Sequence, residues 1–430
     1  MSKVELVAEL RSRLGADAVS QDTARCALPS ASPACIVTPS SVAQVSELLA
    51  YAHERNVTVI PVGNATHLHV GSPPSRYDIA LSLNRLNRVV AHEAADMTVT
   101  VEAGCTLAAL NDQLAAANQW LPIDPPSPAR VTIGGLIAAD LNGPLRLSQG
   151  KVRDLLIGIT VVRADGSVAR GGGRVVKNVA GYDVGKLFTG SLGTLGVIVE
   201  ATFKIRPRPE RRRVLWVSAP DVRAAADLAL GLLDTNIAPS FLEVLNARAA
   251  VEARRGGTGI AVGLGGIAAE IDAQAAQLSS RCGAAAVACD DNDGSRLTAW
   301  LSDFPQRSRV RLTARVSLLP TELAALLPRI ESEAAVRGAT VSLVVHAGNG
   351  VARLGLSSDS DSQAVLFCEW LRIAARERRG WVVFDSLPDS LHGHVDPFGN
   401  PTAAVLLMRG IKQQLDPRGI LSPGRFVGGL

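Results

Sequence analysis

KNVAGYDVGKLFTGSLGTLGVI, residues 177 to 198, decides how the rest of the chain is read. Gly190, Gly193 and Gly196 recur at every third position, Ser191 and Thr194 lie between them, and the apolar run VIVEATF follows at 197 to 203. Glycine reaches positive φ without steric cost and lets another group approach the backbone closely. Such a turn feeding a strand presents bare amides to an anionic or carbonyl-rich ligand. A bulged hairpin is the other reading, and the neighbouring stretches decide between them.

Upstream, PSSVAQVSELLAYAHER at 39 to 55 is a capped amphipathic helix. The buried strand VTVIPV at 57 to 62 then runs into Gly63-Asn64-Ala65-Thr66-His67, a second candidate amide cradle. It lacks the Lys-Ser/Thr of a nucleotide P-loop and the spacing of a Rossmann fingerprint, and a plain surface turn is its alternative. Residues 79 to 90 and 98 to 104 read as strands, 107 to 119 as a helix, and Asp124-Pro125-Pro126 as a rigid turn. Gly134 and Gly135 open a small-residue segment at 132 to 144, and 150 to 168 supplies a long strand with an Asp165-Gly166 turn.

A chain of 430 residues with 47% hydrophobic content has room for two or three domains. Aromatics are only 4%, which favours aliphatic helix-on-sheet layers. A net charge of +4 is too small a bias for nucleic-acid binding. The first fifteen residues read as an amphipathic helix rather than a signal peptide, and no apolar run suffices to span a bilayer, so a cytoplasmic location is expected. Cys26, Cys35, Cys105, Cys282, Cys289 and Cys368 show no metal-like spacing. They read as free thiols, and an iron–sulfur cluster, which takes four closely spaced thiolates, is not expected in this chain.

RPRPERRR at 206 to 213 reads as a solvated domain linker. From 214 onward strand and helix alternate in two rounds, which fits a ferredoxin-like α+β domain.

The order of these motifs from about 30 to 207 resembles the flavin-binding domain of the vanillyl-alcohol oxidase type. VRDLLIG, KNVAGYD, the PRP at 207 to 209 and the closing KQQLDPRGILSPGRF narrow the resemblance to the flavin-binding subunits of bacterial glycolate oxidase. It implies an α+β chain, a two-subdomain PCMH-type FAD-binding domain followed by a ferredoxin-like cap. The expected boundaries are 1–29 for an N-terminal helix, 30–207 for the FAD domain, 208–213 for the linker, 214–410 for the cap and 411–430 for a segment returning toward the flavin.

The resemblance also implies the cofactor site. Val62, Gly63, Asn64, Ala65, Thr66 and His67 are expected to wrap the FAD pyrophosphate. Asp124, Pro125, Thr132, Ile133, Gly134, Gly135 and Ala138, with Ser191, Gly193, Thr194, Gly196, Val197 and Ile198, are expected along the dinucleotide and the isoalloxazine edge. Arg153 and Asp154 are expected to brace the site as an ion pair. Thr66 takes the place of the histidine that attaches FAD covalently in some relatives, so non-covalent FAD is expected.

Related hydroxyacid-oxidising caps carry a motif like His-x-Gly-Asp-Gly-Asn-x-His, which supplies metal ligands and a base. Here residues 346 to 353 read HAGNGVAR, with Asn349, Val351 and Arg353 at the altered positions. His346 is read as a packed histidine, His392 and His394 as solvated or structural, and no metal is expected; the catalytic residues stay unassigned. The implied function is the FAD-carrying subunit of a glycolate-oxidising complex. Its partners would be a larger homologous flavin subunit and an iron–sulfur subunit, with a small 2-hydroxyacid as substrate and peripheral contact with the inner face of the membrane. A self-sufficient hydroxyacid oxidoreductase and a structural subunit with a vestigial flavin site are the alternatives.

Overall fold

The computed structural model describes residues 2–28, 31–173, 183–304, 306, 310–399 and 404–430. Most of the KNVAGYD stretch therefore lies outside the described residues.

The first domain holds two sheets. In the smaller, β1 (Val19–Ser20), β2 (Cys35–Val37), β3 (Val59–Val62) and β4 (Ile79–Ser82) stand in the order β1-β2-β4-β3, with β2 and β3 both parallel to β4. The larger is antiparallel, built from β5 (Val89–Glu93), β6 (Thr98–Glu102), β8 (Leu156–Val162), β9 (Val168–Gly172) and β10 (Val197–Lys204) in the order β5-β6-β10-β8-β9. The expected strand over 79–90 is two strands in two sheets: after Ser82 the chain turns, with the Leu83 N–H bonded back to the Val62 carbonyl at 3.1 Å. The strand expected from 150 is likewise preceded by a short helix, Val152–Leu155. One continuous aliphatic core joins both sheets and the helices Lys3–Leu14, Val42–Arg55 and Leu107–Leu114.

The linker is not merely solvated. Within it β11 (Arg206–Pro207) pairs with β7 (Gln119–Trp120), the Trp120 indole N–H donates to the Pro207 carbonyl, and the Arg212 guanidinium lies 4.6 Å over the Trp120 ring.

The cap is an eight-stranded antiparallel sheet. Its strands are β12 (Arg211–Ser218), β13 (Phe241–Leu245), β14 (Gly259–Gly266), β15 (Ala286–Ala288), β16 (Leu312–Ser317), β17 (Thr340–His346), β18 (Val351–Ser357) and β19 (Trp381–Ser386). The order β15-β12-β14-β13-β17-β18-β16-β19 resolves into two β-α-β-β-α-β units, each with the ferredoxin-like order, joined edge to edge where β13 pairs with β17.

Alternation along these strands sends successive side chains to opposite faces. Leu242, Val244, Val262, Val316, Val345 and Leu354 pack under the helices Val222–Leu233, Ala268–Cys282, Pro320–Val336 and Asp361–Glu377. The opposite face carries Phe241, Leu245 and Val344, which pack with Leu297, Leu301 and Phe304 of the helix Asp291–Asp303 and the residue after it. The same alternation places Glu243, Arg315, His346, Arg353 and Asp385 on that second face.

Candidate functional site

A cleft of about 810 Å³, counted out to its open mouth, lies where the two sheets of the first domain meet. Val62 to His67 form one wall, Thr132, Gly134, Gly135 and Ala138 a second, and Gly193, Gly196 and Ile198 a third. The local chemistry builds each wall. The Thr132 hydroxyl caps the helix Ile133–Ala138 by accepting from the Gly135 N–H at 3.3 Å. A Cβ on Gly134 would sit 3.0 Å from that of Ala103 and 3.2 Å from the Ala103 carbonyl oxygen, so glycine lets this helix start pack closely on the turn after β6. Gly190 and Gly193 take φ of +79° and +72° in a turn that leads from the helix Val184–Phe188 into β10, which removes the hairpin reading. Ala65 and Leu192 also hold left-handed φ on the cleft wall, strain that costs non-glycine residues of order 1 kcal/mol each.

The cleft suits FAD by its donors. The backbone N–H groups of Asn64, Ala65, Thr66, His67, Gly193 and Gly196 make no hydrogen bond among the described residues, although each of these residues lines the cleft. Amides in such number without partners favour a ligand rich in oxygen acceptors and negative charge, which the pyrophosphate and the flavin carbonyls provide.

Six of the expected residues stand behind the walls rather than in them. Ile133 and Val197 are fully buried in the core. The Ser191 hydroxyl donates to the Phe188 carbonyl at 2.8 Å and the Thr194 hydroxyl to the Ser191 carbonyl at 2.7 Å, so both shape the turn. Pro125 is buried, and Asp124 faces the cap: its carboxylate accepts from the Leu145 N–H at 3.1 Å and lies 3.5 Å from the Ser302 hydroxyl, and burial pushes its pKa up to about 7.

Other wall residues are not among those expected individually, including Pro61, Leu68, Ala103, Leu192 and Arg425. Arg425 arrives from the C-terminal segment, where the Leu421 stretch bridges Val59 in parallel: the Val59 N–H donates to Ile420 at 2.8 Å and the Ser422 N–H to Val59 at 3.0 Å. Its guanidinium is buried and donates to the Leu68 and Val70 carbonyls, holding the 62–70 loop, and burial lowers its pKa to about 10. His67 lies between Thr66 Oγ1 at 3.0 Å and Gln306 at 2.9 Å, and burial pushes its pKa down to about 4, so its ring is neutral.

Next to this cleft, between residues 140–151 and the polar face of the cap sheet, lies a second cavity of about 1260 Å³ counted out to solvent. His346 forms part of its wall. The His346 Nδ1 lies 2.5 Å from Glu243 Oε1, a pair set by the β13–β17 register that puts the two residues opposite one another. Both side chains are buried, and desolvation holds the imidazole pKa below its ordinary value against the pull of Glu243. His346 is thus packed, as expected, yet its Nε2 makes no hydrogen bond among the described residues.

Arg353, at the position of the motif's second histidine, donates to the Leu301, Ser302 and Phe304 carbonyls at the end of the helix Asp291–Asp303. Arg315 makes a bidentate pair with Asp385, its Nε 2.9 Å from both oxygens. Arg153 and Asp154 form a loose, half-exposed ion pair at 3.7 Å. His392 and His394 lie in a surface turn, and among the described residues no three His, Cys, Asp or Glu side chains gather as a metal site. The six cysteines are free thiols.

Comparison with known proteins follows the same division. Residues 33–172 match the FAD binding domain model, and residues 208–366 with 399–426 match the model of the FAD linked oxidases, C-terminal domain. The glycolate oxidase subunit GlcD of Bacillus subtilis is 33% identical over 214 residues, 50% of this chain and 46% of that protein. A probable mitochondrial D-lactate dehydrogenase of Danio rerio is 26% identical over 431 residues, 92% of this chain and 84% of its own. The match to the Bacillus protein thus spans about half of its length. The crystal structure of p-cresol methylhydroxylase with substrate bound superposes with a TM-score of 0.77 at 16% identity, covering 98% of this chain and 96% of that one, which is a likeness of fold.

Proposed function

We propose that this chain, an FAD-dependent oxidoreductase whose two parts match the FAD binding domain and the C-terminal domain of the FAD linked oxidases, oxidises a 2-hydroxyacid to the 2-oxoacid. The observation that carries this reading is the His346–Glu243 pair on the wall of a cation-lined cavity beside the FAD cleft. The amides of Asn64, Ala65, Thr66, His67, Gly193 and Gly196 would hold FAD without a covalent bond, and FAD would supply the two-electron acceptor. The protein's own share is threefold. Its cations bind the substrate carboxylate. His346 Nε2 takes the hydroxyl proton, with Nδ1–H directed at Glu243 so that the free lone pair faces the cavity. The lowered His346 pKa keeps that nitrogen unprotonated at neutral pH.

Electrons leave through partners: a larger homologous flavin subunit and an iron–sulfur subunit, in a cytoplasmic complex that touches the inner face of the membrane. Support comes from the Bacillus relative, which is named as a subunit of glycolate oxidase, and from six cysteines that stay free and dispersed. Among the described residues no helix is long and apolar enough to cross a membrane.

A second reading has one specific observation behind it. Arg353 is committed to helix carbonyls at the motif position where relatives carry histidine, which suits a chain that holds FAD while a partner does the chemistry. Anaerobic titration of the purified chain, followed by its flavin absorption, separates the two. Bleaching by glycolate or larger 2-hydroxyacids is expected, and His346→Gln should slow it by roughly 10²-fold or more with flavin content unchanged. A band that stays oxidised with every hydroxyacid would assign the chemistry to a partner.

A further inference from the structure

The arginines of residues 206–213 line a groove that shares no wall residue with the FAD cleft or with the cavity at His346. It measures about 2290 Å³ counted out to solvent and runs along the junction of the two domains. Trp120, Leu145 and Gln149 come to it from the FAD domain, and Phe241, Leu264 and Gly266 from the cap.

The five guanidiniums differ in what balances them. Arg211 and Arg213 both face Asp272, and Arg213 also lies 3.8 Å from Asp291. Arg208 donates to the Gln119 and Asn111 carbonyls at 3.3 and 3.0 Å, neutral oxygens that leave its charge uncompensated. Arg212 lies 4.6 Å over the Trp120 ring, where desolvation and the repulsion of Arg208 draw its pKa down against the weaker pull of Asp124. Asp124 is itself only partly ionised near neutral pH. Arg206 is exposed and makes neither an ion pair nor a side-chain hydrogen bond among the described residues. Two carboxylates of the wall are committed elsewhere: Glu210 accepts from the Ala268 N–H at 3.1 Å and Asp290 from the Asp293 N–H at 2.8 Å, each at the start of a cap helix. The end of the groove at Arg206, Arg208 and Arg212 therefore keeps a positive field.

Shape selects among anions. Phe241 and Leu264 are buried at the base, Gly265 and Gly266 add no side chains, and Ile267 stands 54% exposed on the wall. A flat bilayer would meet the edges of such a groove but not its apolar base, and Trp120 is covered by Arg212 rather than free to insert. A nucleic-acid strand would bring its phosphates past Asp290 and Asp291. A polypeptide with spaced carboxylates and apolar side chains between them meets both the cations and the base.

We propose that this groove docks an acidic, partly apolar segment of a partner protein, its carboxylates on Arg206, Arg208 and Arg212 and its apolar side chains over Leu264 and Phe241. The inference goes beyond the hydroxyacid reading and stands whichever chain performs the chemistry. Because the walls belong to both domains, the occupant bridges them.

Fluorescence anisotropy with the FAD-loaded full chain tests the groove. The probe is a fluorescein-labelled peptide of three Glu-Asp-Leu-Gly repeats, set against the same peptide with lysine at every acidic position. The acidic peptide should bind at least tenfold tighter, weaken as salt is raised, and slow limited proteolysis within residues 206–213. Arg206→Glu, at an exposed and unpartnered position, should weaken it about tenfold with flavin content unchanged. Arg409→Glu makes the same charge change at an exposed helix position outside the groove and should alter binding less than about twofold. No preference for the acidic peptide, or equal losses in the two variants, would overturn the proposal. So would binding to phosphatidylserine vesicles that is lost in Arg206→Glu while the peptide fails to bind, which would give the groove to a lipid surface instead.

Discussion

At the scale of single residues, the amide cradles were legible and the acid–base pair was not. Gly63, Gly134 and Gly193 sit where a side chain would meet Thr132, Ala103 or Pro61, so the backbone's need for close approach wrote itself directly into the sequence. The same stretches also hold Ile133, Ser191, Thr194 and Val197, which share the motif but shape it from behind. Glu243 and His346 are 103 positions apart and meet only through strand register. One signal was available: a lone carboxylate in the apolar run SFLEVLN, and another in WVVFDS, each demanding a buried partner.

Asp124 gives a prediction at this scale. Folding holds its proton up to about pH 7, whereas an ordinary aspartate releases it near 3.8. Between those values unfolding releases a proton, so stability falls as pH rises from about 4 to 7, by on the order of 4 kcal/mol in total. Asp124→Asn keeps an acceptor for the Leu145 N–H and removes the titration. Urea denaturation at pH 4.5 and 7.5 should show a smaller difference for the variant than for the parent chain, and equal differences would mean that Asp124 is ionised throughout.

Among elements, the C-terminal segment is the one whose role could not be read from its own composition. DPRGILSPGRF carries turn residues, yet nothing local says that its Leu421 will bridge Val59 or that Arg425 will hold a loop more than 350 positions earlier. Lys412, in the helix Ala404–Leu415, ties three elements together. Its buried ammonium donates to the Thr194 carbonyl of the glycine turn at 2.7 Å, to the Leu421 carbonyl at 2.8 Å and to Asp416 at 2.6 Å. Asp416 in turn accepts from the Ile420 and Leu421 N–H groups. Lys412→Met strands a buried carboxylate and frees the turn, and should cost about 3–5 kcal/mol of stability. Flavin retention after gel filtration, read as the ratio of flavin to protein absorbance, should fall with it. Normal retention at reduced stability would show that the glycine turn keeps its shape without the clamp.

For the whole molecule, the question is what fixes the cap over the FAD cleft, because the proposed substrate cavity exists only between the two. The alternation of strands and helices announced the cap, but not that it is two ferredoxin-like units sharing one sheet, since the β13–β17 edge that joins them pairs residues about 100 positions apart. Contacts of three kinds hold the domains together. The Ser127 N–H donates to Asp303 at 2.8 Å; Gly348 packs so near Leu147 that a Cβ would collide with it; and the linker is stapled through β11 and β7. Trp120 is central to the staple, donating to Pro207 at 3.2 Å and lying beneath the Arg212 guanidinium. Trp120→Ala removes that indole bond and the cation–π contact while leaving every wall of the FAD cleft in place, since Trp120 lines none of them. The variant should therefore keep its flavin, become more sensitive to limited proteolysis within residues 206–213, and weaken carboxylate binding in the cavity between domains. Unchanged proteolysis together with unchanged binding would mean that the Asp303 and Gly348 contacts alone set the position of the cap.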